Sequence, residues 1–101
     1  MEIVKKGDFT LEKILGPAEY GDKLGLYARV IVPPKAAVPY HQHVGDSESY
    51  YILTGEGEYN DNGVTRMVKA GDSMWTPDGS SHGLVNTGDT DLTFMALIIK
   101  S

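Results

Sequence analysis

Apolar residues along this chain come in short runs separated by glycines and prolines, and no stretch sustains a helical period. Alternation with period two marks half-buried strands, whereas an amphipathic helix repeats every ~3.6 residues. Gly25–Val32 (GLYARVIV) is the clearest strand, rich in β-branched and aromatic residues and stopped by Pro33-Pro34. Val38–His43 and Glu48–Thr54 follow. Glu56–Asn60 and Val64–Val68 flank Asp61-Asn62-Gly63. The Asn-Gly pair predicts a hairpin, because a type I′ turn needs positive φ at both central residues. Asp72–Thr76, His82–Asn86 and Asp91–Ile99 complete a set of about eight strands. The single helix candidate is a turn or two around Thr10–Leu15, with Asp8 or Thr10 as its N-cap. The last strand is apolar at nearly every position (LTFMALII), which predicts a place at the centre of a sheet or against a partner chain.

Punctuation about every 8–12 residues predicts an all-β sandwich or barrel. The length of 101 residues predicts one domain, 1–101, with one core. Composition narrows the chemistry. There is no cysteine, so a metal site has only nitrogen and oxygen donors to draw on. The formal net charge of −5 argues against a nucleic-acid partner. Lys5-Lys6 reads as solvated surface. No charged-then-apolar signal segment opens the chain and no apolar run reaches the ~20 residues of a membrane span. The expectation is a cytoplasmic protein with no membrane partner.

Three histidines occur, and two of them form His41-Gln42-His43. On a strand, residues i and i+2 share a face, so this pair makes half a metal site. Two surface histidines on an edge strand fit the same pattern equally well. Val44-Gly45-Asp46-Ser47 reads as a turn that brings Glu48 back across from the pair, with Asp46, Glu56 and Glu58 as other carboxylates within reach. His82 follows a Pro77-Asp-Gly79 turn.

Together these residues resemble the cupins. His41-x-His43-x₄-Glu48-x₆-Gly55 matches the first cupin motif, and Gly71-x₅-Pro77-x-Gly79-x₂-His82-x₃-Asn86 matches the second at all five positions. Chance agreement at five fixed positions is below ~1 in 10⁶ per starting point. The two motifs, 35–55 and 71–86, span about half the chain, and the fifteen residues between Gly55 and Gly71 are the short spacing of small single-domain microbial cupins. One departure stands out: the first motif has a glycine six residues before its first histidine, and this chain has Lys35. That glycine serves a turn rather than the metal.

The resemblance implies a double-stranded β-helix, or jelly-roll, barrel. It implies one divalent metal ion per chain, held by His41, His43, Glu48 and His82. Three imidazoles and one carboxylate suit Mn, Fe, Co, Ni, Cu or Zn, and four protein ligands leave positions open for a small molecule. The similarity is closest to oxalate-decarboxylase-like cupins. It implies an enzyme acting on a small anionic, oxygen-rich metabolite, with decarboxylase, oxygenase and isomerase chemistries all open. A non-catalytic sensor or carrier of a sugar acid or carboxylate is the alternative.

Glu58 and Tyr50 are the acid–base candidates. Arg29, Tyr50 and Met74 are the substrate-contact candidates, Arg29 because a cation inside a barrel would hold a carboxylate. Tyr27, Tyr40 and Trp75 are further pocket candidates of unfixed phase. Tyr50 and Ile52 share the parity of Glu48 and should point inward, and Tyr51 and Leu53 outward. An outward apolar surface of that kind predicts a homodimer.

Overall fold

The computed structural model describes residues 1–101. Ten strands and one short helix follow each other along the chain. They are β1 (Glu2–Lys6), β2 (Phe9–Lys13), α1 (Pro17–Tyr20), β3 (Leu24–Val32), β4 (Ala37–Gln42) and β5 (Asp46–Thr54). Then come β6 (Glu56–Asp61), β7 (Val64–Lys69), β8 (Ser73–Thr76), β9 (Ser81–Asn86) and β10 (Leu92–Lys100). Six strands form one sheet in the order β1-β2-β3-β10-β5-β8, and four form the other in the order β4-β9-β6-β7. All pairings are antiparallel. The two sheets face each other as a jelly roll, a double-stranded β-helix.

Inward residues of both sheets make one core. Val30, Val32, Ile52, Phe94 and Leu92 come from the larger sheet, and Val38, Tyr59, Val68 and Leu84 from the smaller. Parity holds along β5, counted from Glu48. Glu48, Tyr50 and Ile52 are buried, while Tyr51 and Leu53 are exposed. The apolar β10 lies between β3 and β5, so its backbone is paired on both sides. Its Leu92, Phe94 and Ala96 enter the core, and Thr93, Met95 and Leu97 are only partly covered on the outer face. Asn62 (φ 51°) and Gly63 (φ 98°) make the expected two-residue hairpin, with Asp61 opposite Val64.

Two expectations for the first twenty residues are corrected. Thr10–Leu15 is not helical: Thr10–Lys13 belong to β2, and the helix is Pro17–Tyr20. In β2, Phe9 is buried while Thr10 and Glu12 face the other way, and the strand pairs with both β1 and β3. Those ladder bonds outweigh a helix too short to nucleate. Asp8 caps nothing; it lies in the turn between β1 and β2. The helix instead begins after Gly16, whose N–H donates to Glu19 Oε1 at 2.7 Å. The expected eight strands become ten because the N-terminal hairpin was not recognised, its lysines and glutamates masking the alternation.

Lys35 has φ 69°, the left-handed conformation that favours glycine. The chain therefore keeps the glycine-type turn at the position where it lacks the glycine.

Candidate metal centre

Four side chains from three strands and a strand end meet inside the barrel. His41 is on β4, His43 just beyond it, Glu48 on β5 and His82 on β9. Their ligand atoms all lie within 4.8 Å of one another. His43, Glu48 and His82 are buried and His41 is half-buried.

A bulge aims the first two histidines. β4 and β9 pair in regular register at Val38–Leu84 and again at His41–His82, with a shift between. The extra residue changes parity, so Val38 and His41 both face the interior, and Tyr40 turns out to solvent. Gly83 on β9 makes room for this: a Cβ there would stand 3.0 Å from Tyr40 Cα and 3.3 Å from Val38 O. The loop leading to His82 is stitched to the same strand end. Gly79 N donates to His43 O at 2.7 Å, His43 N to Ser80 O at 2.9 Å and Gln42 Nε2 to Gly79 O at 2.9 Å.

Each ring is held at Nδ1. His41 Nδ1 lies 2.7 Å from Pro39 O, an atom that only accepts, so the proton is on Nδ1. His43 Nδ1 lies 2.7 Å from Asp46 Oδ1, which again takes an N–H. His82 Nδ1 meets Thr76 Oγ1 at 2.7 Å and Tyr59 Oη at 2.9 Å, and the two hydroxyls are 2.8 Å apart. The carbonyl and the carboxylate fix the tautomer of His41 and His43 that leaves Nε2 free as a ligand, while the two hydroxyls hold His82 in orientation.

The donor set then tests itself. His43 Nε2 and His82 Nε2 are 3.0 Å apart, and Glu48 Oε1 is 2.9 Å from each. With the ring proton of His43 on Nδ1, its Nε2 and Glu48 Oε1 present lone pairs to each other, and His82 Nε2 crowds against both. A shared proton relieves one such contact at most, whereas one cation relieves all of them. The arrangement is compatible with a single metal ion, and its all-nitrogen-and-oxygen donors suit a divalent transition metal.

A cavity of about 360 Å³ adjoins this cluster. Its polar lining side chains are His41, Glu48, Tyr50 and Lys6; the rest of the wall is apolar, including Leu26, Val38, Phe94 and Ile98. Tyr50 stacks on His82 with ring centroids 4.7 Å apart. Burial, reinforced by the Glu48 carboxylate, pushes its phenol well above the ordinary value, so it stays neutral and can donate a proton in a hydrogen bond.

Several candidates are relocated. Glu58 is exposed, because its neighbours Gly57 and Tyr59 take the inward positions on β6, so it cannot serve as an acid or base in the barrel. Arg29 faces outward from β3 and its Nε donates to Glu12 Oε1 at 2.6 Å. It is a surface ion pair, not a carboxylate clamp. Met74 is buried on β8 but belongs to the core and does not line the cavity. Tyr40 and Trp75 are exposed, and Tyr27 is partly covered on the outer face beside Leu97. Asp46 supports His43 rather than joining the cluster, and Glu56 is exposed. Asn86 organises a loop: its Nδ2 donates to Val32 O and Thr90 O at 2.9 and 2.8 Å.

The position of Lys6 beside the cavity was not legible in the sequence. Lys6 is exposed, as the solvated-surface reading expected, yet it pairs with the buried Phe9 in the β1–β2 register and borders the cavity. Sequence reasoning missed Thr76 and Tyr59. The signal for Tyr59 was its parity with Gly57 on β6, once either is placed inside.

The Cupin domain family model matches residues 28–98. An oxalate-binding protein of Thermotoga maritima is 45% identical over 94 residues, covering 93% of this chain and 78% of its own. An uncharacterised protein of Methanocaldococcus jannaschii is 30% identical over 92 residues, covering 91% and 74%. The crystal structure of a predicted oxalate decarboxylase from Thermotoga maritima superposes with a TM-score of 0.91 at 41% identity, covering 99% of this chain and 91% of that one.

Proposed function

This chain belongs to the cupin family, and from that premise we propose that it holds one divalent metal ion on His41, His43, Glu48 and His82 and binds a small carboxylate there. The observation that carries the reading is the convergence of three ligand atoms, each within 3.0 Å of the others, with the protons of His41 and His43 held on the far side of their rings. A bound divalent ion would supply Lewis acidity and positive charge to an anionic ligand. Against one carboxylate and three neutral imidazoles the site then keeps a single positive charge, despite the acidity of the whole chain. Attraction in this partly desolvated place exceeds that in bulk water several-fold. Tyr50 would offer the ligand a neutral hydrogen-bond donor.

Binding is favoured over turnover by the cavity wall. Beyond the ligand set it presents no free carboxylate or imidazole, only Tyr50 and Lys6. The similarity to an oxalate-binding protein supports the same reading.

Titration calorimetry of oxalate against metal-loaded and metal-stripped protein tests it. Binding to the loaded form alone is expected. Equal affinity for both forms would remove the metal from the reading. Release of formate and carbon dioxide on incubation would convert the binding protein into a decarboxylase.

A further inference from the structure

The cavity is larger and more apolar than oxalate requires. Oxalate is two carboxylates joined by one bond, with no apolar surface. The space beside the cluster measures about 360 Å³, within the ordinary range of sites for larger metabolites, roughly 300–1,000 Å³. Its apolar wall is built from Leu26, Val30, Phe94 and Ile98 on the concave face of the larger sheet, beginning at Ile98 opposite Glu48, with Phe9 of the N-terminal hairpin completing it. Water held against such a wall lacks the polar partners that would stabilise it, so an apolar group that displaces it gains affinity. Polar side chains occur only at the metal cluster with Tyr50, and at Lys6 on the hairpin.

We infer that the ligand is an amphipathic carboxylic acid: its carboxylate sits at the metal centre and an apolar chain or ring lies along Leu26, Val30, Phe94 and Ile98. This deepens the proposed function and rests on it. The acid head is selected by the positive charge of the ion. The body is selected by apolar area removed from water. An alcohol of the same shape lacks the first contribution, and oxalate lacks the second.

The test is a titration series on metal-loaded protein with pyruvate, 2-oxobutanoate, 2-oxopentanoate, 2-oxohexanoate and oxalate. The 2-oxo acid head is constant while the chain grows. Affinity should rise by roughly three- to fourfold per methylene until the cavity is filled. Leu26→Asn, which places an amide in the wall, should flatten that rise while leaving oxalate affinity within about twofold. A circular-dichroism spectrum and melting curve matching wild type would show that this variant folds; if it does not, the milder Leu26→Thr serves. Metal-dependent oxalate binding with no chain-length gain in the wild-type protein would overturn this inference and leave the proposed function standing. A gain that persists in the folded variant would also overturn it, since the chain would then lie elsewhere. Loss of metal-dependent binding for every acid would overturn both.

Discussion

Asp46 Oδ1 accepts the Nδ1–H of His43 at 2.7 Å, across the two intervening residues Val44 and Gly45. The carboxylate therefore stands behind the ring, on the side away from Glu48 and His82. It fixes the tautomer and raises the basicity of Nε2. Asp46→Asn keeps the size of the side chain and removes the charge. Metal affinity should fall by about 10–100-fold, the usual cost of losing such a partner. Competition against a fluorescent chelator would measure it. An unchanged affinity would show that Asp46 only shapes the turn.

Chelation should lower the melting temperature without unfolding the chain at room temperature. The core of Val30, Val32, Ile52, Leu84 and Phe94 does not include the ligands. Metal at ~100-fold over its dissociation constant contributes about 2.7 kcal/mol. At ~4–8 °C per kcal/mol for a domain of this size, the shift is on the order of 10 °C or more. Calorimetry with and without EDTA reads it directly. His82→Ala should lose most of the increment. Retention of the full shift in that variant would exclude His82 from the ligands.

The Asp78 carboxyl is held below its ordinary value of 3.8, first by the Ser101 hydroxyl and then by the Gly45 N–H. The distances are 2.8 and 2.9 Å. A lowered folded-state value means that the contribution is present above the unfolded value and lost as pH falls through the folded one. The melting-temperature gap between wild type and Asp78→Asn should thus hold at pH 6 and close below pH ~4. Because Asp78 is fully exposed, the gap itself should be small. A gap that is constant with pH would mean that the carboxylate form is not what the clamp uses.

Lys35 occupies a left-handed conformation at φ 69°. Relief of that strain in Lys35→Gly, worth ~1–2 kcal/mol, is opposed by the greater freedom of glycine in the unfolded chain, ~0.4–1 kcal/mol. Urea unfolding should show the variant equal to wild type or more stable by up to ~1.6 kcal/mol. Lys35→Val should be clearly less stable, since a β-branched residue tolerates positive φ worst. A destabilised glycine variant would reveal a contact of the lysine side chain that matters more than its backbone.

The outer face of the larger sheet carries Tyr51, Leu53 and Trp75, with exposures of 47%, 37% and 51%. The register sets Trp75 opposite Ser49 and Tyr51 beside Met95, so these residues form one patch around β5. We propose that a second copy of the chain covers it. Light scattering at high micromolar concentration should give a dimer, and Tyr51→Lys with Trp75→Glu a monomer. A wild-type monomer under those conditions would refute this.

Most strand positions, the Asn62-Gly63 turn and the shared face of Glu48, Tyr50 and Ile52 were legible in the amino-acid order, while the four residues of the candidate cluster came with the resemblance to the cupins. The first three rest on local rules, period-two alternation and the φ demands of a turn; the cluster rests on the match of its motif spacing to a known family. They need no knowledge of what packs against the strand. The tertiary structure decided the rest. Parity tells which residues share a face but not which face is inside, so Arg29 and Glu58 stayed candidates until barrel closure turned them outward. A bulge between Val38 and His41 reversed the parity of β4, and no composition signal marks it. The partners of His82 come from Tyr59 on β6 and Thr76 on β8, in different sheets. Lys6 reached the cavity only through pairing with Phe9, in a hairpin too charged to read as a strand. These relationships depend on contacts between residues far apart in the chain, whose geometry is set when the two sheets close on their shared core.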